Sequence, residues 1–228
     1  MSKLHTNREY ENELSDLRAR LVMMAGRIDE MLANAMRALI QGDSQLALST
    51  IESDHRVNRD EVEMDELCLV ILAKRQPLGA DLRFITIALK MVTDLERIGD
   101  LAVNICERVL KLEKNRDLKL DPRLSEMSNR VQSMIKEAID AFIHSDPDKA
   151  ESVIQKDDQV DELYHAMFRD LLQEMKTQNS PLEALIHIQS VAKWLERAGD
   201  HCTNLAELVV FMVRGTDIRH LGKLDQSA

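Results

Sequence analysis

Apolar residues recur every three or four positions along almost the whole chain, which is the spacing that lines one face of an α-helix. The pattern stops only at short stretches that carry glycine, proline or aspartate, residues that commonly begin or end helices. An all-α protein with six long helices is therefore predicted. The expected helices cover residues 7–40, 44–74, 80–114, 123–144, 147–176 and 181–213.

Particular residues mark where some of these helices begin and end. Ser145 or Asp146 is expected to cap the fifth helix, with Pro147 in its first turn. Gly215 is expected to end the sixth helix. One polar stretch, NRDLKLDP at residues 115–122, is the candidate linker between the two halves of the chain.

The second half of the chain repeats the first. The segment LERIGDLAVNICERV starts at Leu95, and LERAGDHCTNLAELV starts at Leu195, 100 residues later. The two preceding helices of each half also match, with a shift of 103 residues. A repeat of this length holds three helices. We therefore predict two tandem three-helix bundles related by pseudo-twofold symmetry, with units at residues 1–117 and 118–228.

Composition fits this prediction and argues against several classes of protein. The 228 residues include only 7 Gly and 4 Pro and are 44% hydrophobic, enough to form a sizeable core. The net charge of −10 and the scattered basic residues argue against a nucleic-acid partner and against a preformed phosphate pocket. No Gly-rich phosphate loop occurs, which argues against a nucleotide enzyme.

Several features indicate a soluble protein of the cytoplasm. Cys68, Cys106 and Cys202 form no CxxC pair and are odd in number, so buried free thiols in a reducing compartment are expected. The amino terminus lacks the apolar core of a signal peptide. The longest apolar runs are far shorter than the roughly 20 residues of a membrane span.

The repeated segments carry acidic and amide side chains along one side of a helix, within an arc of roughly 80° at 100° per residue. The apolar residues of the third helix occupy the opposite side, so the ordinary interpretation is a face exposed to water. In the third and sixth helices these stripes consist of Glu96, Asp100, Asn104 and Glu107, and of Glu196, Asp200, Asn204 and Glu207.

Three details argue against simple exposure to water. Glu96 and Asp100 are like charges one turn apart, which is unfavourable without a cation between them. The same residue types occur in both halves, although other surface positions have diverged. The second helix adds a further stripe that is flanked by apolar residues and needs a counter-charge. This stripe consists of Asp54, Asn58, Glu61 and Asp65, of which the second half keeps only the first pair, as Asp157 and Asp161.

Two kinds of counter-charge are compatible with these stripes. The first is an arginine, Arg97 or Arg197, and the second is a bound metal ion. Carboxylate and amide oxygens without convergent Cys or His favour hard cations such as Mg²⁺ or Mn²⁺, or iron in an oxygen-rich cluster, over tetrahedral zinc. The fourteen stripe residues above are therefore the candidate metal ligands, with Mg, Mn, Fe and Zn left open and no organic cofactor expected.

A glycine in the middle of each repeated segment, Gly99 or Gly199, lies at the border between the acidic stripe and the core. Mid-helix glycine is about 1 kcal/mol less favourable than alanine, so its repetition indicates a close approach of another group. A packing notch between helices is the preferred interpretation, and a ligand contact is the alternative.

No catalytic constellation stands out. Glu52 with His55 and Glu162 with His165 match the Glu-x-x-His pattern of di-iron bundles, but the two pairs do not occupy equivalent repeat positions. Histidines that are on the surface or have their hydrogen bonds satisfied are therefore expected, with no catalytic residues. A metal-dependent carboxylate-bundle enzyme is kept as the alternative function, and a purely structural scaffold as a third.

The two LERxGD segments, together with AKRQPLGADLRFI at residues 73–85, closely resemble the PhoU family of phosphate transport accessory and regulatory proteins. The resemblance covers about residues 5–215. Asn58 departs from the all-acidic form of the family motif, and Tyr164 and Phe168 replace acids in the second half. The resemblance implies multinuclear metal clusters on the acidic stripes, in a homodimer.

The resemblance also implies a function. It is that of a cytoplasmic, non-enzymatic adaptor between the ATPase subunit of a phosphate ABC transporter and a membrane sensor histidine kinase. Such an adaptor keeps the phosphate-starvation regulon silent when phosphate is plentiful and modulates phosphate uptake. It would meet the membrane only through these partners, and no nucleic acid would be involved.

Overall fold

A computed structural model describes residues 8–112, 120–177 and 181–216 of the chain. The described part contains six helices and no strand, as predicted from the apolar spacing. None of these helices is long and apolar enough to cross a bilayer. The helices are α1 (Arg8–Gln41), α2 (Ser44–Arg75), α3 (Ala80–Leu112), α4 (Arg123–His144), α5 (Pro147–Thr177) and α6 (Leu182–Arg214).

Local chemistry explains where several helices begin and end. The backbone N–H of Lys149 donates to the Asp146 carboxylate at 3.0 Å, so Asp146 caps α5. Ser145 instead ends α4 in the left-handed conformation, with φ 52°. Gly215 ends α6 with φ 72°, as predicted, because glycine adopts this conformation without steric penalty. The predicted linker at residues 115–122 and the unit boundary at residue 117 lie largely or wholly outside the described residues.

The helices form two three-helix bundles that pack against each other through α3 and α6. In the first bundle α1, α2 and α3 contact one another, and in the second α4 and α5 both pack against α6. α1 also contacts α4, so one continuous core runs through both bundles. Residues at equivalent repeat positions, such as Met24 and Met127 or Val57 and Val160, are buried in both halves. The predicted fold of two related bundles is confirmed.

The three cysteines are buried and free, as predicted. Burial raises the pKa of the Cys68 and Cys106 thiols to about 12. Reactive cysteines need a stabilised thiolate, so these two thiols serve as small core residues.

Candidate functional site

The first half of the acidic stripe of α3, Glu96 and Asp100, lies beside the acidic stripe of α2, although the Asp100 side chain stays 43% exposed. Asp54 and Glu61 from α2 lie beside Glu96 and Asp100 from α3, close enough for each carboxylate to affect the pKa of a neighbour. Only 15% of the Glu96 side chain is exposed. Burial and the neighbouring carboxylates raise the pKa values of Asp54, Glu61 and Glu96 above their ordinary range. These four residues are the first acidic cluster.

Arg97 supplies part of the counter-charge of the first acidic cluster. Its guanidinium lies 3.5 Å from the carboxylates of both Glu96 and Asp100, as predicted. The Asn58 amide donates to Oδ2 of Asp54 at 2.9 Å. The other oxygen of Asp54, Oδ1, is buried and has no hydrogen-bond partner. One guanidinium among four carboxylates leaves the first acidic cluster strongly negative.

The second acidic cluster repeats this arrangement between α5 and α6 and consists of Asp157, Asp161, Glu196 and Asp200. Burial, with help from the other three carboxylates, raises the pKa of Asp157 to about 7. Burial and the Glu196 carboxylate also raise the pKa of Asp161. Oδ1 of Asp157 is buried without a well-oriented hydrogen-bond partner, like Oδ1 of Asp54.

A lysine neutralises part of the second acidic cluster. Lys193 Nζ donates to Glu196 Oε1 at 2.6 Å and lies 5.2 Å from the centre of the Tyr164 ring, a cation–π contact. The equivalent positions in the first half hold Thr93 and Glu61. The second half has thus exchanged an acid for an aromatic ring and gained an internal cation.

Lys193 replaces the counter-charge that the sequence predicted for the second half. Arg197 is exposed and forms no ion pair within the described residues, whereas Lys193 lies one turn earlier and points to Glu196. The repeat comparison could have pointed to Lys193, because it is a basic residue that stands opposite a neutral one, Thr93, and lies three residues before Glu196. The contact with Glu196 is local to α6, and the packing of α5 adds the Tyr164 ring against the same ammonium.

The outer members of the predicted stripes lie at the edges of the two clusters or away from them. Asp65 lies close enough to Glu61 to raise its pKa. Asn58 and Glu107 are exposed, while Asn104 and Glu207 are half-buried. The Asn204 amide is directed towards α3, where it donates to Asp94 at 3.2 Å.

The contact between α3 and α6 contains polar pairs that sequence reasoning missed. Asp94 on α3 lies 2.8 Å from Nδ1 of His201 on α6. At the position equivalent to Asp94 the second half has Trp194, and the Arg108 guanidinium lies 4.9 Å from its ring centre. The Trp194 side chain is therefore half-buried against another part of the chain. A carboxylate–imidazole contact on one side of the pseudo-twofold axis corresponds to a cation–π contact on the other.

The two repeated glycines provide close-packing notches of different depth. A Cβ atom on Gly199 would lie 2.6 Å from Asp157 Oδ1, closer than real Cβ contacts. A Cβ on Gly99 would meet Val57 Cγ1 at 3.6 Å and Asp54 Oδ1 at 3.9 Å, which are ordinary contacts. In both halves the glycine faces the first aspartate of its acidic cluster. Only at Gly199 is that aspartate so close that a larger residue would clash with it.

A family model described as the PhoU domain matches residues 21–109 and 124–209 of this chain. The chain belongs to the PhoU family. It is 40% identical over 219 residues to the phosphate-specific transport system accessory protein PhoU homolog of Pseudomonas aeruginosa, covering 96% of this chain and 90% of that protein. It is 34% identical over 218 residues to the accessory protein PhoU of Escherichia coli strain K12, with the same coverage.

Solved structures of PhoU proteins share the fold. The crystal structure of PhoU from Pseudomonas aeruginosa superposes with a TM-score of 0.85 at 39% identity and covers 91% of this chain and 100% of its own. The phosphate transport system regulatory protein PhoU from Streptococcus pneumoniae gives a TM-score of 0.86 at 28% identity, covering 92% and 99%. These relatives are named accessory or regulatory proteins and give no support to the enzyme alternative.

The first acidic cluster of this PhoU-family chain has the better donor set for a metal ion. Both clusters offer oxygen donors only, which suits hard cations, and each has a buried aspartate oxygen without a hydrogen-bond partner. In the second cluster, however, Lys193 is bound to Glu196 at 2.6 Å, whereas Arg97 lies 3.5 Å from the carboxylates of the first. Within the described residues no three His, Cys, Asp or Glu side chains converge closely enough to hold a metal as they stand. Binding would therefore require carboxylate rotation, and metal binding stays a prediction.

Proposed function

We propose that this PhoU-family chain is a cytoplasmic negative regulator of the phosphate-starvation regulon and a modulator of phosphate uptake. The observation that carries the proposal is the 40% identity to a phosphate-specific transport system accessory protein over 96% of the chain. The shared fold, with TM-scores of 0.85 and 0.86 to two PhoU structures, supports it. In this role the chain acts through binding rather than catalysis.

The proposed partners are the ATPase subunit of the phosphate ABC transporter and a sensor histidine kinase. An adaptor needs two unlike surfaces, and the two halves of this chain differ despite their common fold. The first half presents the more negative cluster, whereas the second carries the Lys193 ammonium and the Tyr164 ring beside its acids. Apolar side chains are exposed in both halves, and in the first Leu69 and Leu82 are 61% and 39% exposed. Phe168 and Leu172 on α5 are 37% and 41% exposed, and Leu182 and Ile186 on α6 are 57% and 47% exposed. A homodimer is compatible with the same apolar surface.

Deleting the gene tests the regulatory role. We expect a reporter driven by a phosphate-starvation promoter to become active in phosphate-rich medium, because the inhibitory link to the kinase is lost. Expression of the wild-type chain from a plasmid should restore silence. A reporter that stays silent in the deletion strain contradicts the proposal.

Affinity purification from phosphate-replete cells separates the adaptor from the enzyme alternative. We expect the transporter ATPase and the kinase to copurify with the chain. Turnover of an ester or of oxygen by the purified, metal-loaded protein, with loss of activity in Glu96→Ala, would instead favour a carboxylate-bundle enzyme.

We further propose that divalent or iron cations bind the first acidic cluster and bridge α2 to α3. Burial disfavours the ionised form of these carboxylates, and a bound cation would supply the positive charge that stabilises it. Asp54, Glu61, Glu96 and Asp100 would hold it through their oxygens. The second acidic cluster should bind more weakly because Lys193 already occupies Glu196.

Metal-stripped protein should melt at a higher temperature when Mn²⁺ or Mg²⁺ is added, because a ligand of the folded state raises stability. At a metal concentration about 100-fold above Kd, we expect a rise on the order of 5 °C. Replacing Glu61 and Glu96 together by glutamine should abolish most of this rise, whereas Glu196→Gln should preserve most of it. An equal loss in both variants contradicts the preference for the first acidic cluster.

A further inference from the structure

A cavity of about 270 Å³ lies between α1 and α2, away from both acidic clusters. Arg27 and Asn34 line it from α1, and Ser49, Ser53 and Arg56 line it from α2. It is smaller than the pockets that hold drug-sized ligands, so it suits an ion or a small metabolite. Most of its polar lining groups can donate hydrogen bonds.

The internal repeat shows why this cavity is open. Under the shift of 103 residues, Asn34 corresponds to Glu137 and Ser53 to Lys156. In the second half Lys156 forms an ion pair with Glu137, which also accepts a hydrogen bond from Ser133 at 2.7 Å. The same groove is therefore closed by a salt bridge in the second half. Two shorter neutral side chains leave it open in the first.

The donors around the cavity are only partly used within the protein. Arg56 is exposed and, in the part of the chain that the structure describes, forms no hydrogen bond or ion pair. Arg27 forms an ion pair with Asp60 and keeps further N–H groups. The side-chain oxygen of Asn34 accepts a hydrogen bond from Arg37 at 2.8 Å, which leaves the Asn34 NH₂ group as a donor.

Two serine hydroxyls complete the donor set. Ser49 and Ser53 donate to the backbone carbonyls of Leu46 at 3.0 Å and of Thr50 at 2.7 Å. A hydroxyl hydrogen rotates freely, so either can be redirected to a ligand. Glu30 is the one carboxylate among the cavity's described lining residues, and it is exposed to water. Arg27 shares its charge with Asp60, so Arg56 is the lining cation that has no ion pair within the described residues and can face an anion.

We propose that this cavity binds a small tetrahedral oxyanion, either inorganic phosphate or the phosphate group of a monoester. Guanidinium groups match such oxygens with paired, charge-assisted hydrogen bonds, and the hydroxyl and amide donors supply further contacts. The net charge of −10 argued against a preformed phosphate pocket. Charges beyond about 8–10 Å are screened at physiological salt, however, so the groups in and next to the cavity decide whether an anion binds.

Isothermal titration of metal-stripped protein with inorganic phosphate tests this site. The chain supplies its own closed form, since Asn34→Glu with Ser53→Lys copies the Glu137–Lys156 salt bridge into the first half. We expect one binding event per chain in the wild type and an affinity at least tenfold lower in this double variant. Arg56→Ala should also weaken binding about tenfold. This single variant tests the site independently if the double variant fails to fold. Arg169→Ala removes an equal charge from an exposed position on α5 and should bind as the wild type does.

Glucose 6-phosphate in the same titration separates the two sources of the oxyanion. Binding of inorganic phosphate alone assigns the site to the free anion, and binding of both assigns it to any accessible phosphate group. No heat of binding with either ligand overturns the proposal, as does equal weakening by Arg56→Ala and Arg169→Ala. The result is independent of the regulatory role, because the deletion phenotype does not depend on direct anion binding.

Discussion

At pH 8 we expect Asp157→Asn to raise the free energy of unfolding by about 2 kcal/mol, an unusual direction for a change at a half-buried residue. Burial and three neighbouring carboxylates raise the pKa of Asp157 from 3.8 to about 7, so its ionised form is disfavoured in the folded protein. Asparagine has nearly the same shape and no charge. Its NH₂ group can also donate to Asp161 or Asp200, which the carboxylate cannot do.

The pH dependence of this effect follows from the direction of the shift. Between about pH 4 and pH 7 the folded chain holds the Asp157 proton more tightly than the unfolded chain, so wild-type stability falls as the pH rises. At about 1.4 kcal/mol per tenfold change in proton affinity, the upper limit is about 4 kcal/mol, and side-chain relaxation reduces it. The advantage of asparagine should therefore shrink to half or less at pH 5.

Urea unfolding at pH 5 and pH 8, with a chelator present, measures this difference. Asp158→Asn is the matched control, because Asp158 is the exposed neighbour of Asp157 on α5 and should change stability little at either pH. If Asp157→Asn destabilises the protein at pH 8, the carboxylate has a stabilising partner and the second acidic cluster is not a site of unfavourable charge.

The helices and their repeat could be predicted from the sequence because they depend on local patterns. The apolar spacing defines each helix, and the residues that end helices act within one turn, as Asp146 and Gly215 do. The choice between Ser145 and Asp146 as the cap could not be made, since both residue types can accept the bond. In the structure Ser145 has a left-handed φ and ends α4, so the cap of α5 is Asp146.

The electrostatics of the two clusters could not be predicted, because they depend on which helix faces which. Angular positions placed the acids of α3 opposite its own core, and this was right. They gave no indication that α2 would cover them, so burial and the raised pKa of Glu96 were missed. Similarly, the pairing of Asp94 with His201 joins residues 107 positions apart on different bundles. The spacing of residues within one helix cannot predict a contact between two helices.

Differences between the repeats carry more information about function than their similarities. The shared Met, Val and Ala positions maintain one core in both halves. The exchanges of Glu61 for Tyr164 and of Thr93 for Lys193 alter charge at equivalent places on the surface. Duplication thus produced two bundles of one shape with unlike chemistry, which is what the proposed binding of two different partners requires.

Gly199→Ala should destabilise the protein by roughly 1–2 kcal/mol, whereas Gly99→Ala should leave stability unchanged or raise it by up to about 1 kcal/mol. Both changes gain helix propensity. At Gly199 the new methyl group would lie 2.6 Å from Asp157 Oδ1 and must push that carboxylate towards Asp161 and Asp200. At Gly99 the nearest atom, Val57 Cγ1, is 3.6 Å away and no group needs to move.

A double-mutant cycle in urea identifies the carboxylate as the cause. In an Asp157→Ala background the obstructing oxygen is gone, so Gly199→Ala should behave like Gly99→Ala and become neutral or stabilising, a coupling of about 2 kcal/mol. If Gly199→Ala is equally destabilising with and without the Asp157 carboxylate, the notch accommodates the α5 backbone instead. The glycine of LERAGD would then be a helix-packing residue with no connection to the acidic cluster beside it.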